Sequence, residues 1–445
     1  MTSASRHAGT ARFLEPRPEP PAVELLVTGI GQLCTVHDPE RDRQGPRRGE
    51  ALGDVGAVAG AALAVAAGKV VAAGPEADVL RGLYGGRDPH PATRVVNAAG
   101  RAVVPGFVDP HTHAVFGRTR QDEYERRIRG ETYLQIAAAG GGIHASVRDL
   151  RERGDDELEA LARRRLRQML SLGTTTVEIK SGYGLNLADE LRMLRVAGRA
   201  AARAGIRAVR TCLAAHELPS EYRDRRATYV DLVCEQVLPR VAAEGLATRC
   251  DVFCEPSVFD LAETERILGR AAELGLDLCV HADELEALGG AELAARLGAR
   301  SADHLIEVDA AGRRALAGSD TVAVLLPGTV FTLGLGRYAP ARELVADGAA
   351  VALATDFNPG SCPIPSMATI LAIACTQMRL TPGEALVAAT LNAAWALGLA
   401  GEVGSLAPGR SADFLLLEGD DHRLLPYHGG HAPLAAVFRA GAQVP

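Results

Sequence analysis

The chain has almost no lysine, few aromatic residues and no long uninterrupted hydrophobic segment. Only Lys69 and Lys180 occur, so arginine carries nearly all of the positive charge in a chain of 445 residues with a formal net charge of −7. This balance, without a large basic patch, argues against a nucleic-acid partner and favours a small-molecule one. No apolar stretch is long enough to span a bilayer, and the N-terminus lacks the apolar core of a signal peptide, so we expect a cytoplasmic protein with no membrane partner.

Cysteine is present, but its spacing excludes two common uses of it. Eight cysteines in a chain of this length do not form a disulfide framework, and no paired C-x-x-C motifs indicate a structural zinc site. Most of them lie in apolar runs, where a buried free thiol is expected. Residues 1–21 are rich in arginine, proline, serine and alanine, a composition that predicts a disordered leader.

The rest of the chain shows two patterns of secondary structure. Short apolar runs broken by glycine predict β-strands over residues 22–104, apart from a polar loop at 37–50, and a related pattern returns over 399–445. We expect these two ends of the chain to form one small β-sandwich domain. Over residues 105–398, strand-like runs alternate with amphipathic helical segments, which predicts an α/β fold with a (β/α)8 TIM-like barrel. The eight strand-like runs are FVDPHTH, TTTVEIKSGYG, AVRTCLAAH, CDVFCEP, LDLCVHADE, RSADHL, TVAVLLPG and AAVALATD.

Polar residues concentrate where these runs end, and the ends of barrel strands are where such folds carry their chemistry. In the first run, His111 and His113 alternate with one residue, so on a strand both imidazoles face the same way. An isolated H-x-H is more often structural than metal-binding, but other strand ends supply further ligand types. The strand ends carry His113, Tyr183, His216, Glu255, His281, Glu284, His304 and Asp356.

A histidine-rich metal site is the simplest use of these residues. His111, His113, His281 and Asp356 form a set of three nitrogens and one oxygen that suits Zn²⁺ or Fe²⁺ with one position left open for water. Such a metal lowers the pKa of its water toward neutrality. The alternative for Asp356 is a helix N-cap at the strand-to-helix turn.

We expect a single metal ion per chain. A second ion usually needs a bridging ligand, often a carboxylated lysine, and Lys180 on the second strand is the only lysine of the barrel region. Its position is unsuitable for that role, so we predict an ion pair for Lys180 instead. Glu284 follows His281 by three residues and is placed to shuttle a proton between water and a leaving nitrogen. His304 is placed to hydrogen-bond that water or an oxyanion, and its alternative is a buried histidine satisfied by the backbone.

Several segments together resemble a known family. PGFVDPHTH, VHADE, SADHL and ATDFNPGSCP resemble the amidohydrolase superfamily. Within it, HTHAVFGRTRQDEYERRIRGETYLQIAAAGGGI, TTVEIKSGYGL, AAHELPSEY and ATDFNPGSCPIPSM resemble the imidazolonepropionase family, and the similarity covers nearly everything from about Glu24 onward. The resemblance implies hydrolysis of the cyclic amide C–N bond of 4-imidazolone-5-propanoate to N-formimidoyl-L-glutamate, a step of histidine degradation.

The resemblance also implies roles for individual residues. It places the metal on His111, His113, His281 and Asp356. From the positions of the residues themselves, we expect the catalytic chemistry on Glu284, His304 and Asp356. The implied substrate contacts are Arg120, Tyr133, Tyr183, His216, Glu284, Asn358, Gly360 and Ser361. An arginine fork such as that of Arg120 grips a carboxylate bidentately, which suits the propanoate tail. We expect Arg118 to be solvent-exposed, His144 to be incidental, and the protein to form a homodimer.

Two other functions are compatible with parts of this pattern. A deaminase or another cyclic-amide hydrolase on the same scaffold would share the metal ligands but would not need Arg120 or the SGYG segment. A non-catalytic paralogue would keep the barrel and lose ligands, yet none of the four ligand positions is missing here.

Overall fold

The computed structural model describes residues 22–131, 135–136 and 139–444. The predicted disordered leader, residues 1–21, lies outside the described residues, as does Tyr133. In the described part of the chain no helix combines the length and the apolar character needed to cross a membrane.

Strands from both ends of the chain form one eight-stranded sheet, and strands are numbered here along the chain. Its order is β16-β15-β14-β5-β1-β2-β3, with β4 paired to β1. Residues from β1, β2, β14 and β15 share one buried cluster, in which the Phe414 and Phe438 rings stack 4.3 Å apart. The strands are β1 (Leu25–Cys34), β2 (Ala57–Ala66), β3 (Lys69–Pro75), β4 (Arg94–Asn97), β5 (Ala102–Pro105), β14 (Phe414–Leu417), β15 (Leu434–Arg439) and β16 (Ala442–Gln443).

The middle of the chain forms a barrel of eight parallel strands, in which each strand pairs with the next along the chain. Their side chains are almost all buried, as expected for parallel strands covered by helices. Each of the eight predicted runs coincides with one of these strands, although β8 and β9 begin one residue before their runs, and the predicted fold class is confirmed. The strands are β6 (Phe107–Asp109), β7 (Thr174–Lys180), β8 (Arg207–Ala215), β9 (Arg249–Cys254), β10 (Asp277–Ala282), β11 (Ser301–His304), β12 (Val322–Leu325) and β13 (Val351–Leu353).

The barrel closes through the backbone just beyond its first and last strands. The Asp356 N–H donates to the His111 carbonyl at 3.0 Å, and the His113 N–H donates to the Phe357 carbonyl at 2.9 Å. These bonds join the segment after β6 to the segment after β13. They therefore place side chains from the start and the end of the barrel next to each other.

Several helices begin or end at residues that typically cap helices. At α5 the Asn186 side chain accepts from the Asp189 N–H at 2.9 Å, and Gly205 ends the helix at a φ of +75°. Asp260 and Glu263 form a capping box at α8. The first helices are α1 (Glu76–Tyr84), α2 (Gln121–Ile128), α3 (Ile143–Glu152), α4 (Asp155–Ser171), α5 (Leu187–Ala204), α6 (Arg226–Leu232), α7 (Leu238–Ala243) and α8 (Leu261–Glu273). The later helices are α9 (Gly290–Arg296), α10 (Ala310–Ala317), α11 (Pro327–Leu333), α12 (Ala341–Asp347), α13 (Met367–Gln377), α14 (Pro382–Ala388), α15 (Leu391–Ala396) and α16 (Leu424–Tyr427).

Segment 37–50, predicted as a polar loop, has more structure than its composition indicates. It contains the 3₁₀ turn Arg41–Arg43 and leads into a second one, Gly49–Gly53. Arg47 is only 3% exposed, because its guanidinium pairs with Asp42 at 2.7 Å and its backbone bonds the Asn392 amide in both directions. Some of the polar side chains of this segment thus pair with one another or with the barrel.

We expect Phe414→Ala to lower the free energy of unfolding by about 3–5 kcal/mol, because it removes one ring of the stacked pair and leaves a cavity in the chain-end sheet. Urea titration followed by circular dichroism measures the loss. The matched control is Val95→Ala on β4, where the side chain is 52% exposed. A loss there comparable with that of Phe414→Ala would contradict the assignment of Phe414 to the core.

Candidate metal and catalytic site

Three of the predicted ligands meet at the point where the barrel closes. The Nε2 atoms of His111 and His113 lie 3.3 Å apart. One carboxylate oxygen of Asp356 lies 3.6 Å from the first of these atoms and 3.5 Å from the second. The ring of His281 joins them from β10, with its centroid 4.5 Å from that of His111. All four side chains are buried.

Two buried aspartates turn the histidines toward this cluster. The Nδ1 atom of His111 lies 2.6 Å from Asp303, and the Nδ1 atom of His281 lies 2.9 Å from Asp251. A carboxylate at Nδ1 keeps the ring proton on that side and leaves the Nε2 lone pair free for a metal. Among the described residues the buried Nε2 atom of His281 has no hydrogen-bond partner. The unpartnered nitrogen and the donor set of three imidazoles and one carboxylate fit Zn²⁺ or Fe²⁺.

Burial and neighbouring charges set the protonation of His111, His113 and Asp356. Burial lowers the pKa of His111 well below its usual value, and the Lys180 charge lowers it further. Burial also lowers the pKa of His113, although Asp356 opposes the shift. For Asp356, burial would raise the pKa, but the contact with His113 and the nearby His304 hold it at about 2. These two imidazoles are neutral and the carboxylate is ionised, which are the forms that bind metals.

The position of Asp356 excludes the alternative of a helix N-cap. The next helix, α13, begins at Met367 and is capped by Ser366. The second carboxylate oxygen of Asp356 accepts from the Thr329 hydroxyl at 2.5 Å and from the Ser361 hydroxyl at 3.4 Å. Asp356 itself adopts a φ of +53°, which turns the chain sharply at the barrel mouth.

Glu284 and His304 lie together beside the ligand cluster. Glu284 Oε1 is 3.4 Å from His304 Nδ1. Burial, with a contribution from Asp356, raises the pKa of Glu284 to about 8. Burial also lowers the pKa of His304 to about 3, so this imidazole is neutral at physiological pH. Glu255, another polar strand end, is used differently, since it accepts the backbone N–H of Glu284 at 2.7 Å and so holds the loop in place.

Aromatic rings form one wall next to the ligands. The His216 ring stacks on the His113 ring with centroids 5.0 Å apart and planes 15° apart. Tyr183 is buried 5.5 Å from His216, measured between ring centroids. His216 Nδ1 lies 3.0 Å from the Gly182 carbonyl, which can only accept, so the proton is on Nδ1 and Nε2 is an acceptor.

The loop after Asp356 forms a second wall, and Arg120 lies against it. Asn358 Oδ1 accepts the backbone N–H groups of Gly360 and Ser361, both at 2.8 Å. A Cβ atom on Gly360 would lie 1.7 Å from Arg120 Nη2, so only glycine allows the guanidinium to pack there. Arg120 Nε is 3.3 Å from Glu123, which holds the side chain in this position.

The remaining sequence predictions can be compared directly with the structure. Arg118 is exposed, at 68% of its side-chain surface. His144 is the second residue of α3 and belongs to none of the metal-competent clusters among the described residues. The predicted ion pair of Lys180 is confirmed, with its Nζ atom 2.7 Å from both Glu178 and Asp251. Tyr133, predicted to contact substrate, lies outside the described residues.

Sequence reasoning missed the two aspartates behind the histidines. Asp303 lies in the SADHL run, where only His304 was singled out, and Asp251 lies inside the apolar run CDVFC. An ionisable residue within an otherwise buried strand is the signal that points to them. Their partners become visible only in three dimensions, since Asp303 lies level with His281 in the strand register but contacts His111, which follows β6.

Comparison with known proteins assigns the family. The model of the amidohydrolase family matches residues 102–443. The chain is 50% identical to an imidazolonepropionase of Symbiobacterium thermophilum, with 94% of this chain and 96% of that protein covered. It is 48% identical to an imidazolonepropionase of Solibacter usitatus, with 92% and 96% covered. The chain belongs to the imidazolonepropionase family of amidohydrolases.

Solved structures of other proteins share the fold of this chain. An adenosine deaminase from Xanthomonas campestris, solved with bound zinc, superposes with a TM-score of 0.67 at 21% identity and covers 95% of this chain and 93% of its own. A triazine hydrolase variant superposes with a TM-score of 0.71 at 20% identity, with 94% of each chain covered. At these identities the likeness concerns the architecture alone.

We expect His281→Ala to weaken metal binding by at least about 100-fold, since losing a ligand costs more than the 10–100-fold typical of an outer partner. Elemental analysis after dialysis, together with chelator competition, measures the change. His144→Ala is the matched control, because this half-buried histidine is outside the cluster. Unchanged metal content in His281→Ala would remove His281 from the ligand set.

Proposed function

We propose that this protein hydrolyses the cyclic amide C–N bond of 4-imidazolone-5-propanoate and releases N-formimidoyl-L-glutamate, a step of histidine degradation. The support from relatives is that eight proteins named imidazolonepropionase match at 40–50% identity over about nine-tenths or more of the chain. The structural observation that carries the proposal is the packing of Arg120 on the loop that leaves Asp356. This arrangement supports the proposal, because a guanidinium binds carboxylates well and Arg120 lies on the loop next to the candidate metal site.

We propose that one Zn²⁺ or iron ion per chain is held by His111, His113, His281 and Asp356. When bound, such an ion supplies a nucleophile by lowering the pKa of water toward neutrality. The stoichiometry is supported by the position of Lys180, whose ammonium is paired with buried carboxylates and is not free to bridge two ions. Two tightly bound ions per chain would contradict it.

Glu284 and His304 are the proposed proton-handling pair, with Asp356 as both metal ligand and catalytic carboxylate. The Glu284 side chain is 13% exposed, and a pKa near 8 suits a group that takes a proton from the attacking water and delivers it to the departing ring nitrogen. The neutral His304 imidazole can hydrogen-bond the oxygen of the ring carbonyl as it gains negative charge. Their 3.4 Å separation keeps both groups on one side of the cluster.

The proposed substrate pocket has polar groups for both the propanoate tail and the ring of the substrate. Arg120 pairs with the propanoate tail, because a guanidinium fork matches a carboxylate. His216 Nε2, an acceptor, can bind a ring N–H, and Tyr183 packs beside it. The proposed substrate contacts are Arg120, Tyr133, Tyr183, His216, Glu284, Asn358, Gly360 and Ser361.

We also propose that the protein acts as a homodimer in the cytoplasm. Its eight cysteines are all free, which suits a reducing compartment. The proposed division assigns residues 105–398 to the catalytic barrel and residues 22–104 with 399–445 to the β-sandwich domain. Light scattering of the purified protein measures the oligomeric state.

The activity is tested by incubating purified protein with fresh 4-imidazolone-5-propanoate and detecting products by mass spectrometry. We expect N-formimidoyl-L-glutamate to form with no release of ammonia. Ammonia release with the ring intact would instead indicate a deaminase, and turnover of tail-less cyclic amides alone would indicate a different cyclic-amide hydrolase. Absence of any product with metal-loaded protein would contradict the proposal and favour a non-catalytic paralogue.

We expect Glu284→Gln to lower kcat by roughly 10²–10⁴-fold, because glutamine keeps the shape but cannot carry a proton. Metal content should stay unchanged. Glu286→Gln is the matched control, since that side chain is exposed two residues further on. Near-normal kcat for Glu284→Gln across the pH range would move proton transfer to another group, with His304 next.

We expect Arg120→Met to lower kcat/KM for the propanoate substrate. The loss of transition-state stabilisation should be about 3–5 kcal/mol, since the substitution removes one partner of a buried charge pair. Lysine should restore only part of this loss, because a point charge does not reproduce the fork. A tail-less imidazolone should be affected far less. Arg118→Met, at an exposed position, should leave both reactions unchanged. Equal losses on both substrates would show that Arg120 does not bind the tail.

A further inference from the structure

A layer of charged residues lies inside the barrel directly beneath the ligand cluster. Lys180, the last residue of β7, has a fully buried side chain. Its Nζ atom lies 2.7 Å from Glu178, 2.7 Å from Asp251 and 3.6 Å from Asp303. Those three carboxylates are also fully buried. Isolated charges in such a place are costly, so each carboxylate depends on the ammonium.

Two of these carboxylates, those of Asp251 and Asp303, also contact proposed metal ligands. The same Asp303 oxygen that faces Lys180 lies 2.6 Å from His111 Nδ1. The same Asp251 oxygen that faces Lys180 lies 2.9 Å from His281 Nδ1. The second oxygen of Asp251 accepts the backbone N–H of His281 at 3.2 Å. A single ammonium is therefore connected, through one aspartate each, to His281 on β10 and to His111 in the segment after β6.

We propose that Lys180 is a positioning residue for the metal centre. It holds Asp251 and Asp303 side by side at the Nδ1 atoms of His281 and His111, and so directs both Nε2 atoms toward one point. The inference rests on the proposed metal site but not on the proposed substrate. In this role Lys180, the lysine of the barrel region, neither bridges two metal ions nor forms a surface ion pair.

The effect follows from the repulsion among the carboxylates. Without the ammonium, Glu178, Asp251 and Asp303 would face one another in a dry interior where like charges interact strongly. They would relieve the repulsion by turning apart, and each aspartate would then release the imidazole it holds. Outer partners of metal ligands are typically worth 10–100-fold in metal affinity, and Lys180 acts on two of them at once.

A second buried cation in the barrel provides a matched control. Arg249, at the start of β9, is as buried as Lys180 and lies 3.9 Å from Glu178. Among the described residues it forms no ion pair with Asp251 or Asp303. Replacing Arg249 therefore removes a buried positive charge, but it removes no ion-pair partner of Asp251 or Asp303, the two carboxylates that contact histidines.

The test compares Lys180→Met with Arg249→Met in the full-length protein, using Zn²⁺ and Co²⁺ alone. Chelator competition gives the dissociation constants, and the visible absorption of bound Co²⁺ reports the ligand geometry. We expect the Zn²⁺ dissociation constant to rise by about 100-fold or more in Lys180→Met, with a changed Co²⁺ spectrum. Arg249→Met should lose thermal stability but keep the wild-type spectrum and an affinity within about threefold, since no outer partner is removed.

Two results would overturn the proposal. One is wild-type affinity and spectrum in folded Lys180→Met, and the other is an equal loss in both variants, which would make Lys180 a stabiliser of the fold only. If Lys180→Met does not fold, Lys180→Gln replaces it, because the amide keeps part of the hydrogen bonding and should give a smaller shift in the same direction. No substrate enters these measurements, so their outcome is separate from that of the proposed activity.

Discussion

The backbone pairing between the segments that follow β6 and β13 is the constraint on which the site depends. Two hydrogen bonds, from Asp356 N–H to His111 and from His113 N–H to Phe357, close the ring of strands. The closure fixes the spacing of three proposed metal ligands, His111, His113 and Asp356, which come from the first and last parts of the barrel. It also fixes where the Asn358–Ser361 loop leaves the barrel, and with it the surface on which Arg120 packs. The geometry of the proposed metal site and the position of Arg120 thus share one structural cause.

The barrel and the residues at its mouth were predictable because they follow from simple periodic patterns. Parallel strands covered on both sides are continuous apolar runs, and their carboxyl ends share one face of the barrel. This rule alone brings His281, Glu284, His304 and Asp356 together without knowledge of any distance. The structure adds how they are oriented, such as the 3.4 Å approach of Glu284 to His304.

The features that escaped prediction depend on register and on contacts between distant parts of the chain. Asp303 supports His111 from a strand that is neither its sequence neighbour nor its direct partner in the sheet, and no local pattern encodes that pairing. Segment 37–50 has the composition of an exposed loop, yet Arg47 is buried by a contact with Asn392, 345 residues away. Polarity in a sequence does not distinguish a solvated side chain from one that is paired inside the protein.

The contacts of Arg48 bear on how separable the two parts of the molecule are. Its guanidinium donates to the carbonyls of Ala317 and Ser319 at the end of α10, and to that of Gly348 just after α12. Carbonyls at helix C-termini lack partners within their own helix and attract positive charge. Arg48, which precedes the barrel in the chain, therefore supplies hydrogen-bond donors at the C-terminal ends of two barrel helices, α10 and α12. A shortened polypeptide that began at Pro105 would lack Arg48 and would expose these helix ends. The barrel is therefore not separable from the segment that precedes it. Insertions or fusions are better placed elsewhere than in segment 37–50.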